Sequence, residues 1–342
     1  MTIDISSGTI FRIVFILLGL WFLFLIADIL LVLFAAIVVA AAIEPIANYA
    51  QKYKVPRPLS VTVVYLLAIL ILMGVAGMMV EPLQQQIRQL VQAVPTIMNT
   101  LHDVLVFIPQ LNEQEFINTI QQGVTQFGDN LTRLSFNIFQ QTRVVIAGIA
   151  AFLFVFVLTF YLVVEKDALK KFIRIVTPVE HQPFMVRTVD RAQKQVGRWL
   201  LAQVVLGLII GVVVGLGLWI IGVPYALLLG LLAGILEIIP YIGPIIAGVL
   251  GVVIGFSQSL ILGLVVLGFY ILVQQFENHI LVPNVMRRAV GLHPLATIIA
   301  ILLGARLAGT VGLILAVPMA TVIAVLFSDI ISVRDVEEEI AG

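Results

Sequence analysis

The chain has 342 residues, of which 61% are hydrophobic and 11% charged, and its formal net charge is zero. Soluble domains are about 45 to 50% apolar and about 25% charged, so a mean hydropathy of +1.15 indicates an integral membrane protein. The balanced charge gives no support for nucleic-acid binding. The absence of cysteine excludes disulfides, thiolate metal sites and a thiol nucleophile.

The N-terminal apolar run predicts two helices. A membrane helix needs about 20 residues, whereas the run from Ile10 to Ile43 is too long for one crossing and slightly short for two. Asp28 lies near the middle of this run and predicts a tight hairpin of two short helices. A third helix is predicted from about Ser60 to Val80, because prolines flank it on both sides.

The middle of the chain changes in composition. From Gln84 to Thr142 it is polar but places apolar residues at helical spacing, which predicts amphipathic helices outside the bilayer. Two further membrane helices are predicted from Val144 to Val164 and from Trp199 to Ile221. The charged stretch from Glu165 to Arg198 separates them.

The distribution of basic residues predicts the orientation, because cytoplasmic loops are enriched in Lys and Arg. The segment from Glu44 to Leu59 has three basic residues and one acidic residue, and Glu165 to Arg198 has eight and four. The segment from Glu81 to Arg143 has three basic and five acidic residues. We therefore expect the first two segments and the N-terminus to be cytoplasmic and the third to face outward.

Two apolar segments near the C-terminus are each broken at the centre. Around the first break, Tyr225 to Ile239 and Pro244 to Phe256 are each near 21 Å long at about 1.5 Å per residue, too short to span comfortably. The second break, Ala305 to Thr310, separates Leu295 to Gly304 from Val311 to Phe327. We predict two re-entrant hairpins, with a full helix between them from Leu260 to Phe276.

The two broken segments form a candidate internal repeat with a period of 70 residues. The matched pairs are Pro224 with Pro294, Ala226 with Ala296, and Gly234 with Gly304. The hairpins would enter from opposite sides and so form inverted repeats, and transporters bind substrates and ions where such repeats meet. Glu237 and Arg306 would then lie at nearly equivalent places.

The breaks contain the first group of candidate site residues. A carboxylate in lipid costs about 3 kcal/mol or more, so Glu237 must face protein or water. It is either a proton- or cation-binding group or a structural partner of Arg306, whose guanidinium could instead hold a substrate oxygen. The other candidates make the first break or lie at the tip of the second: Pro240, Tyr241, Gly243, Pro244 and Thr310.

A second polar group follows the helix between the hairpins. It is either an inner gate or a solvated helix end, and it consists of Gln274, Gln275, Glu277 and Asn278. His293 is expected to cap the second hairpin. Small residues let membrane helices pack closely, so we expect a packing stripe at Gly207, Gly211 and Gly215.

No catalytic constellation, metal-ligand spacing or phosphate-binding loop occurs in the sequence. We therefore expect no enzyme activity, no cofactor and no metal, and transport driven by a gradient. Three functions stay open from the residues: export of a small molecule, cation/proton antiport using Glu237, and a membrane scaffold or channel.

Three segments resemble the AI-2E family of bacterial membrane transporters. They are GVPYALLLGLLAGILEIIPYIGP (Gly222 to Pro244), QQFENHILVPNVMRRAVGLHPL (Gln274 to Leu295) and GTVGLILAVPMA (Gly309 to Ala320). The resemblance covers nearly the whole chain. It implies export of a small polar signal of the autoinducer-2 type, or exchange of sodium or lithium for protons. It also implies a homo-oligomer, with a pentamer expected, in the inner membrane of a bacterium.

The predicted fold is an all-α polytopic membrane protein with about six transmembrane helices, two inverted re-entrant hairpins and an outer amphipathic segment. Its expected partners are the lipid bilayer and a small polar solute or a monovalent cation or proton. Its predicted parts are the N-terminal scaffold helices (1–83), the extracytoplasmic segment (84–142), a membrane helix with a basic cytoplasmic segment (143–198), a transport block of two helix-plus-hairpin repeats (199–328) and an acidic cytoplasmic tail (329–342).

Overall fold

The computed structural model describes residues 7–67, 142–165, 167–286 and 292–341, with isolated positions between 69 and 122. Regular structure in these ranges is helical, which confirms the all-α class. The helices of the N-terminal half are α1 (Ser7–Leu25), α2 (Ala27–Gln51), α3 (Arg57–Leu67), α4 (Thr142–Val164) and α5 (Ala168–Val176).

The C-terminal half contains the broken segments. Its helices are α6 (Gln182–Ile221), α7 (Ala226–Leu236), α8 (Ile242–Gln258), α9 (Leu260–Phe276), a π-helix (Glu277–Leu281), α10 (Val282–Met286) and α11 (Pro294–Ala341). The predicted bounds of α9 are confirmed. Among the described residues, four stretches are long and apolar enough to cross a membrane: Ala27–Gln51, Val179–Ile221, Leu260–Met286 and Pro294–Ile331. The chain is therefore a multi-pass membrane protein.

The predicted N-terminal hairpin is wrong. The amide of Ile26 donates to Phe22 O at 3.1 Å, and Leu30 N donates to Ile26 O at 3.0 Å, so the helical hydrogen bonds continue from α1 into α2. Asp28 is exposed on the first turn of α2. Without a nearby proline or glycine, one carboxylate does not end an apolar helix. The cytoplasmic location of the N-terminus was predicted from that hairpin, so this prediction no longer has support.

Helix α6 is the centre of the packing and contacts α2, α7, α9 and α11. Leu206, Ile210, Val214 and Leu218 of α6 are buried in one core with residues of α7, α8 and α9. Nearer its N-terminus, Trp199 is buried in a second core with residues of α11. One helix therefore supports both broken segments.

The predicted glycine stripe is confirmed as a close contact between α6 and α7. A Cβ atom on Gly207 would lie 2.5 Å from the carbonyl oxygen of Gly234, and one on Gly230 would lie 2.5 Å from Gly215 Cα. No side chain larger than hydrogen fits without displacing a backbone. The two helices can therefore lie against each other along their main chains.

Both broken segments fold as helical hairpins. The first reverses between α7 and α8. In α11 the non-helical residues are Ala308 (φ −138°, ψ 21°) and Gly309 (φ 55°, ψ −135°). A Cβ on Gly304 would lie 3.0 Å from the Ala316 Cβ, which a straight helix would place about 18 Å away along its axis. The predicted break at 305–310 is thus confirmed in place, but the reversal is confined to two residues.

Polar side chains anchor the N-terminal half of α6, and the sequence did not predict them. Thr188 Oγ1 donates to Asp329 Oδ2 at 2.6 Å, and Arg191 pairs with the other carboxylate oxygen. Gln193 Nε2 donates to Glu44 Oε2 at 2.8 Å. These bonds join α6 to α11 and α2, and they bury Asp329 to 1% exposure although it begins the predicted acidic tail.

Two caps position the hairpins. His293 Nδ1 accepts from Leu295 N at 3.3 Å, which confirms the predicted capping role of that histidine at α11. Gln86 Oε1 accepts from Leu228 N at 3.0 Å, in the first turn of α7, where helix amides lack partners within the helix. Gln86 belongs to the predicted outer segment 84–142, most of which lies outside the described residues.

Candidate functional site

Glu237 lies at the break of the first hairpin and is buried, with 2% of its surface exposed. It follows Leu236, the last residue of α7, and its amide still donates to Ala233 O at 3.1 Å. Residues 237–241 then turn, because Pro240 cannot donate a backbone hydrogen bond. The turn closes when Gly243 N donates to Ile239 O at 2.9 Å.

Gln203 of α6 fixes this break from the side. Its amide nitrogen donates to the main-chain carbonyl of Glu237, which satisfies one of the carbonyls left free where α7 ends. Gln203 is 3% exposed, and its Oε1 has no hydrogen-bond partner among the described residues. Sequence reasoning missed Gln203, although a lone glutamine within LLAQVVLG was a detectable signal.

Glu277 opens the π-helix at the end of α9 and is 6% exposed. Pro283 follows six residues later, and a proline inside a helix removes a donor and crowds the preceding turn. The wider π-helical turn accommodates this crowding, and such turns occur frequently at functional sites.

The two buried carboxylates interact with each other. Burial is the main influence on the Glu237 carboxyl group, and the negative charge of Glu277 is a smaller one. Glu237 Oε2 is buried and has no hydrogen-bond partner among the described residues. The sequence had placed Glu237 at the break and Glu277 at a distant helix end, and the fold brings them together.

The sequence left open whether Glu237 pairs with Arg306, and no such ion pair is present among the described residues. Arg306 is exposed on α11, two residues before the reversal at Ala308. Since Glu237 is buried beside Glu277, the guanidinium is not the neighbour of this carboxylate. Thr310 is also exposed, so neither polar residue at the second tip joins the buried group.

The other predicted site residues at the first break differ in how exposed they are. Gly243 is buried, and a Cβ there would lie 2.0 Å from Leu236 O, so the turn requires glycine. Pro240 and Pro244 are half-buried. Tyr241 is 45% exposed and has a positive φ of 65°, a strained conformation that is found often at functional sites.

The predicted inner cluster is only partly buried. Gln274 Nε2 donates to Asn278 Oδ1 at 3.4 Å, one turn apart as expected. Gln275 and Asn278 are exposed, whereas Glu277 faces the interior. Of the four predicted residues, only Glu277 is therefore buried, as Glu237 is.

The second hairpin shares a hydrophobic core with the start of α8. Ile242, in the first turn of α8, packs against the core that contains Trp199 of α6 and residues of α11. Both hairpins therefore lie against α6 near the break. Polar groups lie buried at a junction of helices that end or reverse, an arrangement typical of transporter sites.

The available ligands are oxygen atoms from carboxylates, a side-chain amide and a helix end. Among the described residues, no group of three His, Cys, Asp or Glu side chains could hold a metal ion. Hard oxygen donors suit a proton, a monovalent cation or the hydroxyl groups of a polar solute. The site is therefore equipped for binding and has no nucleophile with an adjacent base.

Comparison with known proteins also indicates a transporter. The AI-2E family transporter model matches residues 10–332. YrrI of Bacillus subtilis is 28% identical over 92% of this chain and 91% of its own length, and MT0215 of Mycobacterium tuberculosis is 30% identical over 83% and 78%. TqsA of Escherichia coli is 24% identical over 87% of this chain and 85% of its own. The first two names say transport without a substrate, and the third says AI-2 transport.

Proposed function

The chain belongs to the AI-2E family of transporters, and we propose that it is a secondary transporter that exports a small polar solute of the autoinducer-2 type. The family is one of transporters rather than enzymes. The name of TqsA supports the solute class. The bacterial relatives and the charge pattern support a bacterial inner membrane, with 84–142 outside and 165–198 and the C-terminus inside.

The buried pair of carboxylates carries the proposal. Glu237 and Glu277 lie on different hairpin and helix elements, repel each other and are both nearly inaccessible. Taking a charge out of water costs several kcal/mol per ion unless a partner compensates it. A proton or monovalent cation bound between the two carboxylates removes that cost, and its release restores it. Binding of the ion therefore favours one packing of the hairpins over another.

Ion binding that changes the packing of the hairpins provides the mechanism for alternating access. The block 199–328 moves its two hairpins relative to the N-terminal helices, which act as the scaffold. Gln203 holds the break of the first hairpin to α6, so movement at Glu237 is transmitted along α6. The solute occupies the space beside the break when both carboxylates are compensated. A homo-oligomer, with a pentamer expected, provides the fixed frame.

Cation/proton antiport is the second candidate, because the same carboxylate pair has no basic partner among the described residues. In that reaction, sodium or lithium and protons compete for Glu237 and no organic solute is required.

The experiment uses the full chain reconstituted in proteoliposomes. Efflux of a labelled autoinducer-2-type solute is followed together with internal pH and sodium content. Solute flux that stops when the ion gradients are collapsed supports coupled export. Sodium-driven proton movement without solute supports antiport, and conductance without coupling, or no flux, supports a channel or scaffold.

Glu237→Gln keeps the shape of the side chain but removes its charge, so it abolishes coupling in either transport reaction. Glu180→Gln is the matched control, because Glu180 is exposed outside the transport block. If Glu237→Gln leaves the flux and its pH dependence unchanged, Glu237 takes no part in transport.

A further inference from the structure

Helix α5 presents an apolar face that no other described element covers. Its exposed side chains are Phe172 (58%), Ile175 (84%) and Val176 (57%), and Val179 just beyond the helix is 80% exposed. None of them belongs to a hydrophobic core. They follow a spacing of three and four residues and so lie on one side of the helix.

The first turn of α5 attaches it to the protein. Leu169 lines a small cavity with Ile37 and Ala40 of α2 and Leu162 of α4. The exposed face therefore has a fixed direction. The helix has nine residues and a length of about 13.5 Å, so it cannot span a membrane. It follows the apolar helix α4 after three residues, which places it at the level where a span leaves the bilayer.

A cleft with basic side chains meets the end of this apolar face, because Val179 also lines that cleft. The cleft has a volume of about 690 Å³ and lies between α5 and the start of α6. Its basic lining residues are Lys170, Arg174, Arg187 and Lys194, against the single carboxylate of Asp190. Its wall is completed by Val179, Pro183, Val186 and the side chain of Gln182.

The Asp190 carboxylate pairs with the two lysines of the cleft, so the positive charges of the two arginines are not balanced by it. Lys170 Nζ lies 2.7 Å from Asp190 Oδ1, and Lys194 Nζ lies 2.5 Å from Asp190 Oδ2. Among the described residues, Arg174 and Arg187 have no acidic partner, and both are exposed. A planar guanidinium binds a phosphate with two parallel hydrogen bonds, so two such groups beside an apolar face match a phospholipid.

We propose that α5 and this cleft bind anionic phospholipid, with the apolar face of α5 at the acyl-chain boundary and Arg174 and Arg187 on the headgroup phosphate. Short amphipathic helices with basic flanks lie in the membrane interface in this way. Anionic lipid attracts such basic residues. A two-fold contact with a second copy is a poorer fit, because it would bring the same cations together, and a contact within a ring of subunits is distinguished by the test. The inference is independent of the transported solute.

The test places one fluorescent probe on the apolar face of the full chain. The sequence contains no cysteine, so Ile175→Cys can be labelled at a single site with an environment-sensitive dye. The protein is reconstituted in phosphatidylcholine vesicles with increasing phosphatidylglycerol and a headgroup-level spin-labelled lipid as quencher. We expect blue-shifted emission and quenching that rises and saturates with phosphatidylglycerol.

Removal of the two arginine charges tests the headgroup contact. Arg174→Gln with Arg187→Gln should raise the phosphatidylglycerol fraction needed for half-maximal quenching by about tenfold or more, because each basic residue near the surface adds to lipid affinity. The matched control is Lys52→Gln with Lys54→Gln, which removes two exposed positive charges outside the cleft and should leave the curve in place. Thermal unfolding and gel filtration confirm that each variant is folded.

Three results would overturn the proposal. A probe that stays in water in every vesicle shows that α5 does not enter the interface. Quenching that does not depend on phosphatidylglycerol shows that the arginines do not select anionic lipid. A probe that is shielded in detergent and transfers energy to a second labelled subunit shows that another copy covers this face.

Discussion

The side-chain amide of Gln203 donates a hydrogen bond to the main-chain carbonyl of Glu237. This bond joins α6 to the break at the end of α7, 34 residues away in sequence. Because the bond goes to the backbone, it holds the turn itself and leaves the Glu237 carboxylate available.

Gln203→Met should destabilise the protein, since methionine has a similar length but cannot donate. The buried carbonyl of Glu237 then loses its partner, which costs about 1 to 3 kcal/mol. Thermal unfolding in detergent measures the change. Gln258→Met is the control, because Gln258 is exposed at the end of α8. Equal melting temperatures for the two variants would show that the bond contributes nothing.

Glu277→Gln should stabilise the protein, because it removes one of two buried like charges. The gain should appear at neutral pH, because a buried amide needs no compensating charge. Melting temperatures across pH report it. Glu180 is exposed, so the control variant Glu180→Gln should leave the melting temperature unchanged. A melting temperature that falls at every pH would contradict the repulsion.

Gly207→Ala should separate α6 from α7, because its Cβ would lie 2.5 Å from Gly234 O. Overpacking of this kind costs about 1 to 3 kcal/mol. Gly268→Ala on α9 meets nothing within 4 Å and should be neutral or stabilising by up to about 1 kcal/mol, since alanine favours helix. Denaturation curves compare the two. If they shift alike, close packing of the glycines is not required.

Asp329→Ala should loosen α11 from α6, because Thr188 and Arg191 both lose their carboxylate partner. A lost charged hydrogen bond with a buried group costs about 1 to 3 kcal/mol. Protease cleavage near the C-terminus and thermal unfolding both report this. Asp28→Ala removes an exposed carboxylate and should have no effect. An unchanged Asp329→Ala protein would mean that packing alone holds α11.

Lys170 should stabilise the fold up to strongly alkaline pH. Its hydrogen bond with Asp190 raises the pKa of Lys170. A raised pKa in the folded state means that the stabilisation is complete below the unfolded pKa of about 10.4 and is lost as pH rises through the folded value. Lys170→Met should thus be less stable at neutral pH and converge with the parent protein at high pH. Curves that stay parallel over the whole range would contradict this, and Lys52→Met serves as the exposed control.

Local signals in the sequence predicted the elements of the fold. The composition predicted a membrane protein. The uninterrupted apolar run from Leu260 to Phe276 predicted the bounds of α9. Pro240 and Gly243 marked the first break, because prolines and glycines act on the backbone where they occur, and the segment Ala305 to Thr310 marked the second. The spacing of Gly207 and Gly211 predicted a packing face. The Asp28 hairpin failed because a polar side chain in a continuous apolar run does not itself interrupt helical hydrogen bonds.

The sequence by itself therefore determined the membrane environment, the all-helical class, the positions of the two breaks and the presence of a buried carboxylate at Glu237. Only the tertiary structure decided the neighbours of that carboxylate. It brought Gln203 and Glu277 to the break and left Arg306 exposed. The physical reason is that helix propensity and backbone breaks are local, whereas the partners of a buried side chain depend on how distant helices rotate and pack against one another.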